Sequence, residues 1–232
     1  MTPNNIVNMA KLLGLSLIAL TDHNTCGNCA ATAAVAKKEG ILFLPGMELC
    51  TAEEAHVVCL FAKVENALAF ERYVRPTLPP VNNRPDVFGK QCLCDENDEI
   101  ISEEPLLLTT ASGVSADDVF SLVKRFGGVA FPAHIDRPSY SIPASLGTLP
   151  PLGFSVAEVT KNGDIKALRN AYPVLQTMPL LFDSDAHYLE NMQEANAYME
   201  LDDPTPEHII AALSGEYPCR FAQCPEGHCA TK

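Results

Sequence analysis

Leu17-Ile18-Ala19-Leu20-Thr21-Asp22-His23-Asn24 is the stretch on which the reading of this chain turns. Four apolar residues run directly into four polar ones. A short apolar run without polar alternation reads as a strand buried on both faces. The same junction recurs three times. Leu42-Phe43-Leu44 leads into Pro45-Gly46-Met47-Glu48, with His56 soon after. Val129-Ala130-Phe131 leads into Pro132-Ala133-His134, and Leu180-Leu181-Phe182 into Asp183-Ser184-Asp185-Ala186-His187.

Helical signals alternate with these runs. Thr2 and Pro3 can open a helix with Ile6, Met9, Ala10 and Leu13 on one stripe, closed by Gly14. Further helices are expected near 30–39, 64–75, 163–171 and 205–213, and Ser115 caps another that Gly127-Gly128 ends. Strands are expected at 41–44, 57–61, 156–159 and 197–201. Residues 75–110, rich in Pro, Asn and acids, read as an insertion, with a possible hairpin between Cys92-Leu93-Cys94 and Glu99-Ile100-Ile101. A Pro/Ser/Gly loop covers 136–153. Repeated βα units favour an α/β fold with a mostly parallel sheet, and polar residues just after strands favour a TIM-like βα barrel. The expected organisation is one barrel domain over 1–215 and a Cys-rich tail over 216–232.

The chain has 232 residues, 47% hydrophobic and 19% charged, enough to bury a core and too apolar for general disorder. Its net charge of −13 argues against nonspecific binding to nucleic acid or an anionic membrane, where clustered Lys and Arg are needed. A phosphorylated small molecule stays open, because bound divalent ions reverse the field inside a pocket. No run approaches the roughly 20 apolar residues of a membrane span. The first residues carry no signal-peptide pattern, so the expected location is cytoplasmic and the nine cysteines are expected to be reduced. Cys50 and Cys59 read as core residues. Cys26-Gly27-Asn28-Cys29, Cys92/Cys94 and the group Cys219, Cys224, His228 and Cys229 read as packing or tail residues before they read as redox or zinc sites. His208 reads as a solvated helix residue.

Imidazoles and carboxylates at several strand ends suit Zn, Mn or Fe. Asp185 and His187 are spaced to address one point if extended. Glu48 could bridge two ions, an arrangement that activates water and clamps a phosphoryl oxygen. Each residue alone has a plainer reading: a hydrogen-bonded structural histidine, or a surface acid. Four strand ends each offering a ligand-type side chain are harder to explain that way.

Thr21-Asp22-His23-Asn24, Pro45-Gly46-Met47-Glu48, His56, Pro132-Ala133-His134 and Ser184-Asp185-Ala186-His187, in this order, resemble the PHP (polymerase and histidinol phosphatase) superfamily. The resemblance implies a distorted (β/α)7 barrel with up to three metal ions at one rim, and a hydrolase of the phosphoesterase type. It implies Glu48 as a bridging ligand, His56 and His134 as ligands of a second ion, Asp185 as a ligand of the first, and His23 and His187 as ligands of a third. Asp22 would orient His23 or a neighbouring ligand, and Asn24 would be a turn residue. The chemistry would rest on Glu48, Asp185 and His187, and Arg137 and Lys161 could contact a substrate phosphate.

The family pattern opens with a strand bearing His-x-His, and no His precedes His23 here. The expectation is therefore a barrel whose first strand is missing from this chain, a reading frame extending upstream, and fewer than three ions. Two functions follow. One is a metal-dependent phosphoesterase that hydrolyses a small phosphorylated substrate through metal-activated water. The alternative is a noncatalytic or inactive PHP-derived binding module. An amidohydrolase on a related barrel is a weaker third.

Overall fold

The computed structural model describes residues 1–223. Helix α1 (Pro3–Leu12) precedes strand β1 (Leu17–Leu20), helix α2 (Cys29–Glu39) and strand β2 (Leu42–Cys50). Strand β3 (His56–Phe61) and helix α3 (Val64–Val74) follow. Next come the short helix α4 (Pro85–Phe88), the hairpin β4 (Cys92–Cys94) and β5 (Ile100–Glu103), helix α5 (Ala116–Arg125) and strand β6 (Gly128–Pro132). Helix α6 (Ile142–Leu146), strand β7 (Ala157–Glu158), helix α7 (Ile165–Ala171), strand β8 (Leu180–Leu181), strand β9 (Ala197–Glu200), helix α8 (Pro206–Leu213) and strand β10 (Arg220–Gln223) complete the order.

One of the two expected caps is present, and Thr205 supplies a further one. Ser115 Oγ accepts from Asp118 N at the start of α5, and Thr205 Oγ1 from His208 N at the start of α8. Thr2 differs: it makes no cap bond, and its hydroxyl donates instead to Asp98 Oδ2 at 2.7 Å, tying α1 to the insertion hairpin.

The central sheet has the order β1-β2-β3-β6. β1 and β2 are parallel, but β3 is antiparallel to both β2 and β6. The mostly parallel sheet expected from sequence is thus corrected to a mixed one. β2 also runs on through Pro45-Gly46-Met47-Glu48, so Glu48 lies inside a strand and not after one. β7 and β8 form a separate parallel pair, and β9 pairs antiparallel with β10. Among the described residues these sheets do not close into a (β/α)7 barrel. β10 falls in the stretch read as tail; Cys224, His228 and Cys229 lie outside the described residues.

The two faces of the central sheet bury different partners. Phe43, Met47, Leu49, Val57, Cys59 and Phe61 belong to the larger core, shared with α1, α2, α3 and α5. Leu44, Val58, Leu60, Val129 and Phe131 line the other face, where Ile209, Ile210 and Leu213 of α8 cover them. This second face is apolar at the α8 end and polar at the opposite end. Cys26, Cys29, Cys50 and Cys59 are buried free thiols, and the Cys26 thiol is held protonated by its hydrogen bond with Cys29 and by burial. No helix among the described residues is long and apolar enough to cross a membrane.

Candidate metal centre

Register sets the site. In the β2–β3 pair, Glu48 lies opposite Val58 and Cys50 opposite His56. Glu48 and His56 are therefore diagonal neighbours on one face, close enough for long side chains to meet. β1 is continued by a parallel bridge between His23 and Glu48, held by the Asn24 N–H on the Glu48 carbonyl at 3.0 Å. β6 delivers His134 two residues past Pro132, which pairs with Val57. Because β3 runs backwards, its first residue sits on the rim where β1, β2 and β6 end.

The result is a carboxylate ringed by imidazoles. Glu48 Oε2 is 3.1 Å from His23 Nδ1, and Oε1 is 3.2 Å from His56 Nδ1 and 3.3 Å from His134 Nε2. Glu48 is 5% exposed and His134 1%. The ring centroids of His23 and His56 are 5.1 Å apart, and those of His56 and His134 5.4 Å. Ligand atoms of His23, Glu48 and His56 all lie within 4.8 Å of one another. His187 reaches the same group from the opposite wall, 5.7 Å from His23 between ring centroids.

Asp185 and His187 are not extended as the spacing suggested. Asp185 has φ 40°, and the turn brings His187 Nδ1 to 3.1 Å from the Asp185 carbonyl. His134 likewise has φ 29°. Non-glycine residues held at positive φ are uncommon and concentrate at functional sites. Asp185 Oδ2 forms an ion pair with Arg137 Nη2 at 2.6 Å. Lys161 is exposed and borders, with Arg137, a cleft of about 370 Å³ beside Asp185. Asp22 accepts from Asn28 Nδ2 at 3.2 Å, and burial pushes its pKa up. Asn24, at φ 51°, is structural: its amide donates to the Leu108 and Thr110 carbonyls and its Oδ1 accepts from Cys50 N.

Two acids at the site were not among the expected ligands. Glu158 is buried, and its Oε1 accepts the His134 backbone N–H at 3.1 Å. Burial, then the charges of Asp183, Asp185 and Glu48, pushes Glu158 well above the usual carboxylate range. Burial and the Asp185 charge push Asp183 up as well. A charged residue inside the apolar run Val156-Ala157-Glu158-Val159 was the available signal. Glu48, Glu158, Asp183 and Asp185 line one cavity of about 480 Å³ with His23 and His187.

The electrostatics fit a cation. Burial works against ionisation of Glu48, but contacts from His134 and His56 and the nearby imidazoles hold it well below the usual range. Burial lowers the pKa of His23, so it favours the neutral, ligating form. His23 Nδ1, His56 Nδ1 and His134 Nδ1 are buried without a hydrogen-bond partner, although two of them face Glu48 within 3.2 Å. Buried polar atoms are normally satisfied, and four acids sharing one cavity repel each other. A divalent cation accounts for both features.

The fold is shared with several solved structures. The lesion-specific endonuclease Q of Pyrococcus furiosus matches with a TM-score of 0.63 at 18% identity, over 95% of this chain and 53% of that one. Endonuclease Q with a 27-mer duplex carrying an abasic lesion at the active site matches with a TM-score of 0.59 at 17% identity, over 95% of this chain and 53% of that one. A protein provisionally described as a metal-dependent phosphoesterase, from Bifidobacterium adolescentis, matches with a TM-score of 0.54 at 16% identity, over 84% of this chain and 87% of that one. In sequence, 58 residues are 38% identical to a 3′,5′-nucleoside bisphosphate phosphatase of Chromobacterium violaceum, covering 25% of this chain and 20% of that protein. This chain thus spans about half of the endonuclease Q chain, and the match covers a fifth of the phosphatase. No protein-family profile matches the chain.

The expected partners are corrected here. Sequence reading favoured a small phosphorylated molecule and no nonspecific nucleic-acid binding, but the same fold has been solved on duplex DNA. Net charge sums the whole surface, whereas a phosphodiester is gripped locally, so −13 does not exclude nucleic acid.

Proposed function

We propose that this chain is a PHP-type, metal-dependent phosphoesterase acting on a nucleic-acid phosphodiester. The observation that carries the reading is the buried Glu48 carboxylate ringed by His23, His56 and His134, with the unpartnered Nδ1 atoms of His23 and His56 facing it. Nucleic acid is supported by the fold shared with endonuclease Q on its duplex and by the stretch similar to a nucleoside bisphosphate phosphatase.

His23, Glu48, His56 and His134 would hold the ion, with Asp185 and His187 supplying ligands on the facing wall. The N and O donors suit Mn, Zn or Fe. When bound, such an ion supplies Lewis acidity and an activated water at neutral pH. Glu48 keeps its negative charge at the centre of the group. Glu158 holds the strained His134 backbone in place through the His134 N–H. Arg137 faces Asp185 and can exchange this ion pair for a substrate phosphate oxygen.

The test is hydrolysis of a labelled DNA oligonucleotide and of bis(p-nitrophenyl) phosphate by metal-stripped protein resupplied with Mn²⁺, Zn²⁺ or Fe²⁺. Turnover should require the metal and vanish in Glu48→Ala. Absence of turnover with all three metals, or undiminished turnover in Glu48→Ala, overturns the reading. Metal binding without any turnover points instead to a noncatalytic binding module.

A further inference from the structure

We infer that Tyr140 is a stacking platform for an unpaired nucleobase next to the phosphate held at the Glu48 cluster. This rests on the nucleic-acid reading above and specifies the form of the substrate: single-stranded, or with a base turned out of its stack.

Tyr140 lies in the irregular loop between β6 and α6, where no residue pattern marks a site. Its backbone has φ 55°, a conformation that is costly for a bulky residue and that persists only where surroundings enforce it. Two contacts do so. The His56 N–H donates to the Tyr140 carbonyl at 2.8 Å. The phenol ring stacks on the His56 imidazole, with centroids 5.0 Å apart and planes at 24°. His56 in turn faces Glu48 at 3.2 Å. The next residue fixes the turn: Ser141 Oγ donates to the Arg137 carbonyl at 2.7 Å and accepts from Ala144 N at the start of α6.

Tyr140 is nevertheless 52% exposed, so the ring face away from His56 meets solvent. An aromatic plane is thus held by backbone and ring against one of the imidazoles around Glu48, with its outer face bare. Arg137, on the same tight turn, points its guanidinium at Asp185. A cation for phosphate and a flat apolar face for a base, on one closed turn, match the two halves of a nucleotide. Every base has a π-face, so such stacking tolerates any sequence. Within a duplex both faces are already covered, so the face is offered only by an unpaired, terminal or extruded base. With a chain charge of −13, phosphate attraction over a long footprint is weak, and stacking must carry much of the affinity.

The experiment compares two short single-stranded oligonucleotides with hydrolysis-resistant backbones, one normal and one built of abasic residues, by fluorescence anisotropy in Mn²⁺. The wild type should favour the base-bearing strand by roughly 5- to 150-fold, the range of one base–aromatic stack. Tyr140→Ala and Tyr140→Leu should bring this ratio close to one, and Tyr140→Phe should keep it. A wild-type ratio near one, an unchanged ratio in Tyr140→Ala and Tyr140→Leu, or binding of neither strand overturns the inference. Hydrolysis of bis(p-nitrophenyl) phosphate separates the two levels. Turnover with a ratio near one sinks the platform and leaves the hydrolase, and a Tyr140-dependent ratio without turnover does the reverse.

Discussion

Replacing Glu48 by Gln removes one charge and little volume from the centre of the imidazole group. In the metal-free protein this should be mild. The new amide N–H₂ can donate to an orphaned nitrogen of His23 or His56, each within 3.2 Å of a carboxylate oxygen. One such bond is worth about 0.5–1.5 kcal/mol and offsets much of what the lost carboxylate contributed. The metal-loaded protein should behave differently. A ligand at 100 times its Kd stabilises the native state by about 2.7 kcal/mol. A chain of this size shifts its Tm by about 2–4 °C per kcal/mol, so saturating Mn²⁺ should raise the wild-type Tm by roughly 5–11 °C. Glu48→Gln should keep its metal-free Tm within about 4 °C of wild type and lose most of the Mn²⁺ increment. Differential scanning calorimetry after chelation, with and without Mn²⁺, measures both quantities. Mn²⁺ is the cleaner probe, because the nine cysteines give Zn²⁺ ligands in the unfolded chain. His208→Ala, at a half-buried histidine paired with Asp203, is the control and should keep the full increment. No Mn²⁺ increment in the wild type, or the same increment in Glu48→Gln, refutes the assignment of Glu48 as the central ligand.

Two further outcomes test how the scaffold holds the site. A Cβ added at Gly46 would lie 2.7 Å from the Cys59 carbonyl oxygen and 2.7 Å from Leu60 Cδ2, so Gly46→Ala must push β2 off β3. It should cost about 1–3 kcal/mol and weaken Mn²⁺ binding by disturbing the Glu48–His56 diagonal, and a wild-type Tm and Mn²⁺ affinity would contradict this. Glu104, buried, takes two hydrogen bonds from Arg75 at 2.7 and 2.8 Å and one from Leu106 N at 3.0 Å, anchoring the 75–110 insertion. Burial opposes its ionisation, but the Arg75 contacts prevail and hold its pKa below the ordinary 4.5. Its contribution is therefore complete above about pH 4.5 and lost as pH falls through the lower folded value. Glu104→Gln should be less stable than wild type by about 1–3 kcal/mol at neutral pH, with the gap closing in acid; a pH-independent gap in urea titrations contradicts the pairing.

Much of the element order was legible because local chemistry wrote it. Ser115 and Thr205 cap helices, Gly40 closes α2 at φ 74°, and apolar runs mark β1, β3 and β6. Strand direction was read less well. Strands expected at 41–44 and 57–61 leave room for a parallel crossover of about a dozen residues, but β2 runs on to Cys50 and the short loop before His56 allows only a reversal. His23, Glu48 and His134 could be picked out because each follows an apolar run, and His56 because it opens one, although only the fold brings them together. Asp185 with Arg137, Glu158 behind His134, and Tyr140 over His56 depend on turns at positive φ and on packing between distant segments. Residue spacing does not carry such information.

The reversed strand also bears on how the site assembles. Glu48 and His56 belong to one short hairpin, whose closure needs little loop entropy and takes on the order of microseconds. Half of the central quartet is therefore prearranged by local folding alone. His23 and His134 join it from opposite sides along the sequence, so the chain on either flank can lengthen or diverge without disturbing the kernel on which a cation would first settle.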